Sequence, residues 1–342
     1  MRDNKSVFII AEAGVNHNGS LDLAKKLVSA AKDSGSDAVK FQTFKAEKLV
    51  RRDVKQAAYQ IANTGIEESQ YEMLKRLELS DEEYKELNNF CRHKDIKFMS
   101  TPFDLDSIDF LASLEMEIWK IASGEITNVP YLRKVAAVAK DIILSTGMST
   151  LEEVEFAVNI IKSSGFDLTR LTLLHATSEY PCPVNEVNLK AMITLRDQFN
   201  VKVGYSDHTQ GIYIPFLASA MGAEVIEKHF TLDRNLEGPD HKSSLEPNEL
   251  LEMVTHIRQL PLILGTGEKK PSISESKNIV LARKYIVAKQ DIKVGDIFSD
   301  INLDTMRAGG EVSARYWDDV IGKTSNKDYM LGEKVKLEEL NK

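Results

Sequence analysis

The chain has 342 residues, of which 42% are hydrophobic and 28% charged, a composition typical of globular proteins in water. Its formal net charge of −8, with no clustered basic stripe, argues against nucleic acid or an acidic membrane as the main partner. No apolar run has the length of a bilayer span, and residues 1–6 are polar rather than signal-like. Cys91 and Cys182 lack CxxC spacing, so we expect a reduced, cytoplasmic protein.

Short apolar runs alternate with amphipathic segments over the first three quarters of the chain. The predicted strands are 7–14, 38–44, 97–101, 118–123, 141–146, 171–177, 202–205 and 225–230. The predicted helices are 21–34, 81–93, 104–114, 131–139, 151–163, 189–199, 211–221 and 247–262. Eight strand–helix units match a (β/α)8, or TIM, barrel over residues 1–264. An open doubly wound sheet also alternates in this way, but the chain has no GxGxxG turn after an early strand.

The amino-acid composition changes after the predicted barrel. Residues 265–281 are rich in Lys, Ser, Glu and Gly, which predicts a linker. Residues 282–342 contain short strand-like runs at 285–288, 297–298 and 335–337, separated by turns. This pattern predicts a compact C-terminal domain that is too small to be very stable alone. Packing against a barrel, in cis or on a partner subunit, would supply the missing burial.

Two histidines lie near the carboxyl ends of successive predicted strands. His208 follows the seventh strand and His229 ends the eighth, with a helical segment between them. A strand–helix–strand unit makes its strands parallel and usually adjacent, so both imidazoles should emerge on one rim. Neutral imidazoles in this arrangement are half of a divalent-metal site. The alternative is that each is an ordinary core or surface histidine.

Lys40 and Lys120 each interrupt an otherwise apolar strand near its carboxyl end. Ion pairs with Glu12 or Glu125 would be a structural explanation. The functional hypothesis is that both ammonium groups converge on a phosphate, because lysine is a good point-charge partner for it. Hydroxyl groups at other strand ends could complete the oxygen contacts: those of Thr101, Ser123, Ser145 and Ser206. Since there is no P-loop, the phosphate would belong to a small metabolite.

Three carboxylates are further candidates for the same rim. Glu12 and Glu125 lie at strand ends, where an acid–base role, a metal–water contact or a contact to a substrate hydroxyl is feasible. Asp240 lies in a sharp Gly-Pro-Asp-His turn, where a substrate contact and a surface turn role are both open.

Eight segments, taken in order, resemble the signature blocks of the sialic acid synthase family. They are residues 9–19 (IIAEAGVNHNG), 39–43 (VKFQT), 100–103 (STPF), 119–125 (WKIASGE), 144–148 (LSTGM), 205–209 (YSDHT), 227–231 (EKHFT) and 238–240 (GPD). Residues 287–323 resemble the carboxyl-terminal domain of that family, which is similar to type III antifreeze protein (SAF type). The resemblance therefore runs through the barrel and into the tail.

This resemblance implies a condensation of phosphoenolpyruvate with the open-chain aldehyde of an N-acylated amino sugar, giving a nine-carbon 2-keto acid and phosphate. It implies that His208 and His229 hold a divalent metal, usually Mn²⁺, with Mg²⁺ or Co²⁺ as alternatives. Glu125 would be a candidate acid or base. The residues implied at phosphoenolpyruvate are Lys40, Thr101, Lys120, Ser123, Ser145, Tyr180 and Ser206. Those implied at the sugar hydroxyls are Glu12, Gln42 and Asp240.

The resemblance also implies a homodimer, in which the small domain of one subunit covers the barrel mouth of the other. Arg307 would then reach the acyl group of the sugar. Two positions depart from the family: Ser178 replaces an asparagine of some members, and Arg-Ala-Gly-Gly replaces a common Arg-Pro-Gly pattern. We expect N-acetylneuraminate synthesis from N-acetylmannosamine. The alternatives are an N,N'-diacetyllegionaminate synthase acting on 2,4-diacetamido-2,4,6-trideoxymannose and a sugar-binding barrel without catalysis.

Overall fold

The computed structural model describes residues 6–56, 60–61, 65–336 and 338. Contacts divide the chain into two compact units, Met1–Gly265 and Thr266–Lys342. No helix in the described ranges is both long and apolar enough to span a membrane.

The first unit is built on eight parallel strands, in the order β3-β2-β1-β8-β7-β6-β5-β4. The pairing of β1 with both β2 and β8 curls the sheet into a nearly closed barrel. The predicted (β/α)8 fold is confirmed, and the observed strands lie within two residues of the predicted bounds. They are β1 Phe8–Gly14, β2 Ala38–Thr43, β3 Lys97–Pro102, β4 Ile118–Ile121, β5 Asp141–Ser145, β6 Leu171–Ala176, β7 Lys202–Asp207 and β8 Val225–His229.

Helices follow the strands and cover the outside of the barrel. Several begin at a side-chain cap that satisfies free backbone N–H groups, such as Ser80 and Thr150 in capping boxes. Among the described residues, this unit has the helices Leu21–Asp33, Ala46–Leu49, Gln70–Leu77, Asp81–His93, Leu105–Ser113, Val129–Val138, Leu151–Ser163, Lys190–Phe199, Tyr213–Ala220 and Pro247–Leu264, and residues 60–61 are also helical. Helices Ala46–Leu49 and Gln70–Leu77 were not predicted, and both lie between β2 and the helix Asp81–His93.

Side chains alternate along each strand between the barrel interior and the surrounding helices. One interior layer is apolar: Ile10, Ala38, Met99, Ile143, Leu174 and Val225 form a separate buried cluster. Two residues further along the same strands, the next layer contains Glu12, Lys40, Thr101, Ser145, Ala176 and Glu227. The apolar layer therefore fills the barrel interior, and the polar layer lies next to it, nearer the carboxyl ends of the strands.

The second unit contains a small antiparallel pair, β9 Tyr285–Ala288 and β10 Leu303–Met306. Its buried cluster includes Ile286, Phe298 and Tyr329. The predicted linker contains a helix, Ile273–Ala282, and a short helix Trp317–Val320 lies in the domain itself. Of the predicted run 335–337, Leu337 lies outside the described residues, and Ile297 forms only an isolated bridge to Thr324.

Candidate active site

A cavity of about 500 Å³ opens at the carboxyl ends of the barrel strands. Eleven of the predicted site residues line it: Glu12, Lys40, Gln42, Thr101, Lys120, Ser123, Ser145, Tyr180, Ser206, His208 and His229. This position is the one at which barrels of this kind carry their active sites.

A buried ionic network forms the floor of the cavity. The Lys40 ammonium group lies 2.6 Å from the Glu12 carboxylate and donates to the Thr101 hydroxyl at 3.1 Å. It lies 3.8 Å from the carboxylate of Glu227, and Lys120 lies 3.5 Å from the same carboxylate. The sequence suggested Glu12 or Glu125 as partners of the lysines. Lys40 does pair with Glu12, but Lys120 pairs with Glu227.

Glu227 is the principal site residue that sequence reasoning missed. It is 4% exposed, lies beside both lysines and accepts a hydrogen bond from Ser206 at 3.2 Å. The sequence did contain an indication of this role: Glu227 stands two residues before His229 on one strand, so the two side chains face the same side of the sheet. A buried carboxylate that follows Val225 and Ile226 in a strand needs a partner, and the ammonium groups of Lys40 and Lys120 supply it.

Burial and charge shift the pKa values of this network in different directions. Burial raises the pKa of Glu12 to about 7, although Lys40 opposes the shift. Burial alone would also raise the pKa of Glu227, but the ammonium groups of Lys120 and Lys40 outweigh it and lower that pKa. Burial lowers the pKa of Lys120, whereas in Lys40 the carboxylates of Glu12 and Glu227 overcome burial and raise the pKa. Glu12 is thus the group poised to change charge near neutral pH.

The two histidines lie side by side, as predicted, with ring centroids 5.6 Å apart. The Tyr180 ring lies 4.1 Å from the His208 ring and 5.6 Å from the His229 ring. The register of β8 against β1 sets His229 beside Glu12. Burial lowers the pKa of both histidines, so both are neutral at physiological pH.

The donor set of the histidine pair fits a catalytic divalent metal. His208 Nδ1 lies 2.6 Å from the carbonyl oxygen of Thr177, which can only accept, so the proton is on Nδ1 and the lone pair on Nε2. His229 Nδ1 is buried and has no hydrogen-bond partner within the described chain. In the described ranges, no group of three or more His, Cys, Asp or Glu side chains is arranged to hold a metal ion. Two imidazoles alone leave open positions for water or substrate, as catalytic sites do.

Three predicted residues lie elsewhere. Asp240 is half-buried and lines a smaller cavity beside the main one, and desolvation raises its pKa to about 6. Glu125 lies in the 3-10 turn Ser123–Glu125, accepts a hydrogen bond from Asn128 at 2.6 Å, and is absent from the described lining of the cavity. Burial raises its pKa. Arg307 follows β10 in the second unit, with an exposed side chain.

An eight-stranded parallel barrel with lysines, carboxylates, hydroxyls and neutral histidines around one cavity belongs to the class of TIM-barrel enzymes. Residues 27–269 match the NeuB family and residues 283–329 match the SAF domain. The chain belongs to the NeuB family. The resemblance seen in the sequence, including its antifreeze-like tail, is therefore confirmed.

Several of the similar proteins are named synthases. The N,N'-diacetyllegionaminic acid synthase of Campylobacter jejuni is 53% identical over 332 residues, covering 97% of this chain and 99% of the relative. That of Legionella pneumophila is 51% identical over 317 residues, covering 92% and 89%. The crystal structure of an N-acetylneuraminic acid (sialic acid) synthetase from Leptospira borgpetersenii matches with a TM-score of 0.71 and 38% identity, covering 81% of this chain and 91% of that one. The chain is accordingly an enzyme of the condensing synthase class.

Proposed function

We propose that this enzyme condenses phosphoenolpyruvate with the open-chain form of an N-acylated amino sugar, giving a nonulosonic (sialic) acid and inorganic phosphate. The observation that carries the proposal is one cavity in which two buried lysines lie beside two neutral histidines. Family membership supports it, because several relatives are named as synthases of acids of this kind.

Phosphoenolpyruvate would bind over the ionic network. Its phosphate and carboxylate need cations, which Lys40 and Lys120 supply, and hydroxyl donors. The Ser145 hydroxyl is buried without a hydrogen-bond partner in the described chain, so it has a free donor for a ligand oxygen. The other residues proposed around this substrate are Thr101, Ser123, Tyr180 and Ser206.

The sugar aldehyde would lie toward the histidine pair, and Gln42, Glu12 and Asp240 would bind hydroxyl groups along the sugar. We propose that His208 and His229 hold the divalent metal, Mn²⁺ before Mg²⁺ or Co²⁺. When bound there, the metal would supply Lewis-acid polarisation of a carbonyl oxygen. The hydrogen bond from His208 to Thr177 keeps its ring in one orientation and one tautomer.

The proton balance assigns a role to Glu12. Carbon 3 of phosphoenolpyruvate attacks the aldehyde carbon, whose oxygen takes up a proton. Water adds at carbon 2 and gives up a proton, and phosphate leaves with cleavage of its C–O bond. Glu12, with a pKa of about 7 and a place in the cavity, can give or accept a proton at neutral pH. Glu125 is the second candidate acid or base.

A phosphate-release assay tests this function. Purified enzyme with Mn²⁺ and phosphoenolpyruvate should release phosphate when N-acetylmannosamine or 2,4-diacetamido-2,4,6-trideoxymannose is added, and not without a sugar. Mass spectrometry should find a nine-carbon 2-keto acid, EDTA should stop the reaction, and Mn²⁺ should restore it. The two sugars are compared side by side because both have named synthases among the family. No release with either sugar contradicts the proposal and favours a sugar-binding barrel.

We further propose that the enzyme works in the cytoplasm as a homodimer. Arg307 and the SAF domain of one subunit would cover the cavity of the other. The exposed Arg307 side chain is consistent with a role outside its own unit.

A further inference from the structure

A second buried ion pair lies behind the two histidines, on strands β7 and β8. The Lys228 ammonium group lies 2.5 Å from the Asp207 carboxylate, and both side chains are 0% exposed. The register sets the two residues opposite each other across the strands. Because successive side chains of a strand point to opposite faces, Lys228 points away from the cavity that His229 lines.

The ion pair also holds the backbone that follows β7. The Lys228 ammonium group donates a second hydrogen bond to the carbonyl oxygen of Thr209. The Asp207 carboxylate accepts two hydrogen bonds from Thr209, at 3.1 Å from its backbone N–H and at 3.0 Å from its hydroxyl. We call Asp207, Thr209 and Lys228 the β7–β8 clamp. Its members stand immediately before and after His208 and immediately before His229.

The clamp differs from the other hydrogen bonds that hold His208. Its Nδ1 donates to the Thr177 carbonyl oxygen at 2.6 Å, and its own carbonyl oxygen accepts from the backbone N–H of Cys182 at 2.9 Å. Those two bonds connect His208 to the segment after β6, whereas the clamp connects it to the strand that carries His229. A buried ion pair is a weak source of stability, because removing both charges from water offsets much of their attraction.

We propose that Lys228 and Asp207 are positioning residues, which fix the imidazoles of His208 and His229 relative to each other and so set the affinity for the divalent metal. This inference rests on the metal site of the proposed function. Both side chains are absent from the described lining of the cavity, so they act through the histidines. Losing a group that orients metal ligands costs about 10- to 100-fold in affinity, and we expect about 10-fold here.

The test removes both charges and nearly keeps both side-chain shapes, by combining Asp207→Asn with Lys228→Met. The net charge near the histidines is unchanged, so a difference in metal binding reports their placement. Electron paramagnetic resonance of free Mn²⁺, added to protein freed of metal with EDTA, gives the dissociation constant, which should rise about 10-fold. Calorimetry should find unchanged binding of phosphoenolpyruvate in the absence of metal, because Lys40 and Lys120 are intact.

Two controls accompany this variant. His208→Ala should abolish the measured Mn²⁺ binding, which identifies the site as the histidine pair. The matched control is Asp37→Asn with Arg258→Met, which removes another ion pair, with a separation of 2.7 Å. Asp37 directly precedes β2, at the amino end of the barrel strands. This control should keep the native Mn²⁺ affinity, whatever it loses in thermal stability.

Each outcome decides the proposal. Native Mn²⁺ affinity in the folded clamp variant overturns it, and so does an equal loss of Mn²⁺ and phosphoenolpyruvate binding, which would indicate a general disturbance of the cavity. No Mn²⁺ binding by the native protein overturns the metal site itself and the clamp with it, while phosphate release tests the condensation separately. If thermal unfolding shows that the double variant does not fold, Thr209→Val decides: it removes only the hydroxyl contact to Asp207, its Mn²⁺ affinity should fall several-fold, and an unchanged affinity overturns the proposal.

Discussion

We expect the charge state of Glu12 to control how much positive charge the cavity offers to an anion. Its carboxylate lies 2.6 Å from Lys40, and burial raises its pKa to about 7. In the ionised form it competes with a phosphate for the Lys40 ammonium group. In the protonated form it no longer pairs with the Lys40 ammonium group, and the site carries one negative charge fewer. Binding of phosphoenolpyruvate should therefore be linked to the uptake of a proton by Glu12.

We predict that the affinity for phosphoenolpyruvate falls about tenfold between pH 6 and pH 8, since a group with a pKa near 7 loses its proton in that window. Titration calorimetry without sugar measures it. In the Glu12→Gln variant, which cannot ionise, the fall should be much smaller. The ligand phosphate titrates equally with both proteins, so the difference between the two slopes reports Glu12. Parallel slopes would show that Glu12 does not control phosphoenolpyruvate binding.

At the scale of elements, the pairing of β7 with β8 brings the two histidines together. The strands approach closely at Gly204, where an added Cβ would lie 2.2 Å from the carbonyl oxygen of Val225 and 2.6 Å from the Leu174 side chain. Backbone atoms cannot move aside as a flexible side chain can, so this close approach requires glycine at position 204. The resulting register of β7 and β8 places Ser206 opposite Glu227.

We predict that Gly204→Ala lowers stability by roughly 1–3 kcal/mol, because the new methyl overpacks this contact. The control is Gly124→Ala, where an added Cβ meets nothing within 4 Å. Thermal unfolding should show a clear fall in the midpoint for the first variant and little change for the second. Equal midpoints for Gly204→Ala and the native protein would mean that β7 can move away from β8 at little cost.

The strands and their order were predictable because apolar runs with regular spacing decide both the elements and the parallel connections. The residues around the cavity were predictable from that strand order, since the carboxyl ends of parallel strands lie at one edge of the sheet. Helix Gln70–Leu77 was not predictable in the same way, because it is short and its stability comes from packing Met73 and Leu77 against Val15 and Phe44. Glu227 was missed because its partners, Lys40 and Lys120, come from strands far away in the sequence.

In the proposed dimer, Arg307 could act on the barrel of its own subunit or on that of the partner. The barrel carries both histidines and both lysines at its cavity, and the exposed Arg307 belongs to the second unit. In the proposed homodimer, each complete site combines the barrel of one subunit with the tail of the other. A heterodimer that carries His208→Ala in one subunit and Arg307→Ala in the other then contains one complete site.

We predict that this heterodimer, purified through two different affinity tags, has about half the native rate per dimer at low sugar concentration, because one of its two sites is intact. Each parent homodimer should be much slower under the same conditions. The matched control pairs a native subunit with one carrying both substitutions. If Arg307 acts on the partner, this control has no complete site and is slow, whereas if Arg307 acts on its own barrel, the control is the faster of the two. The order of the two rates therefore decides between a lid shared across subunits and one that closes on its own chain.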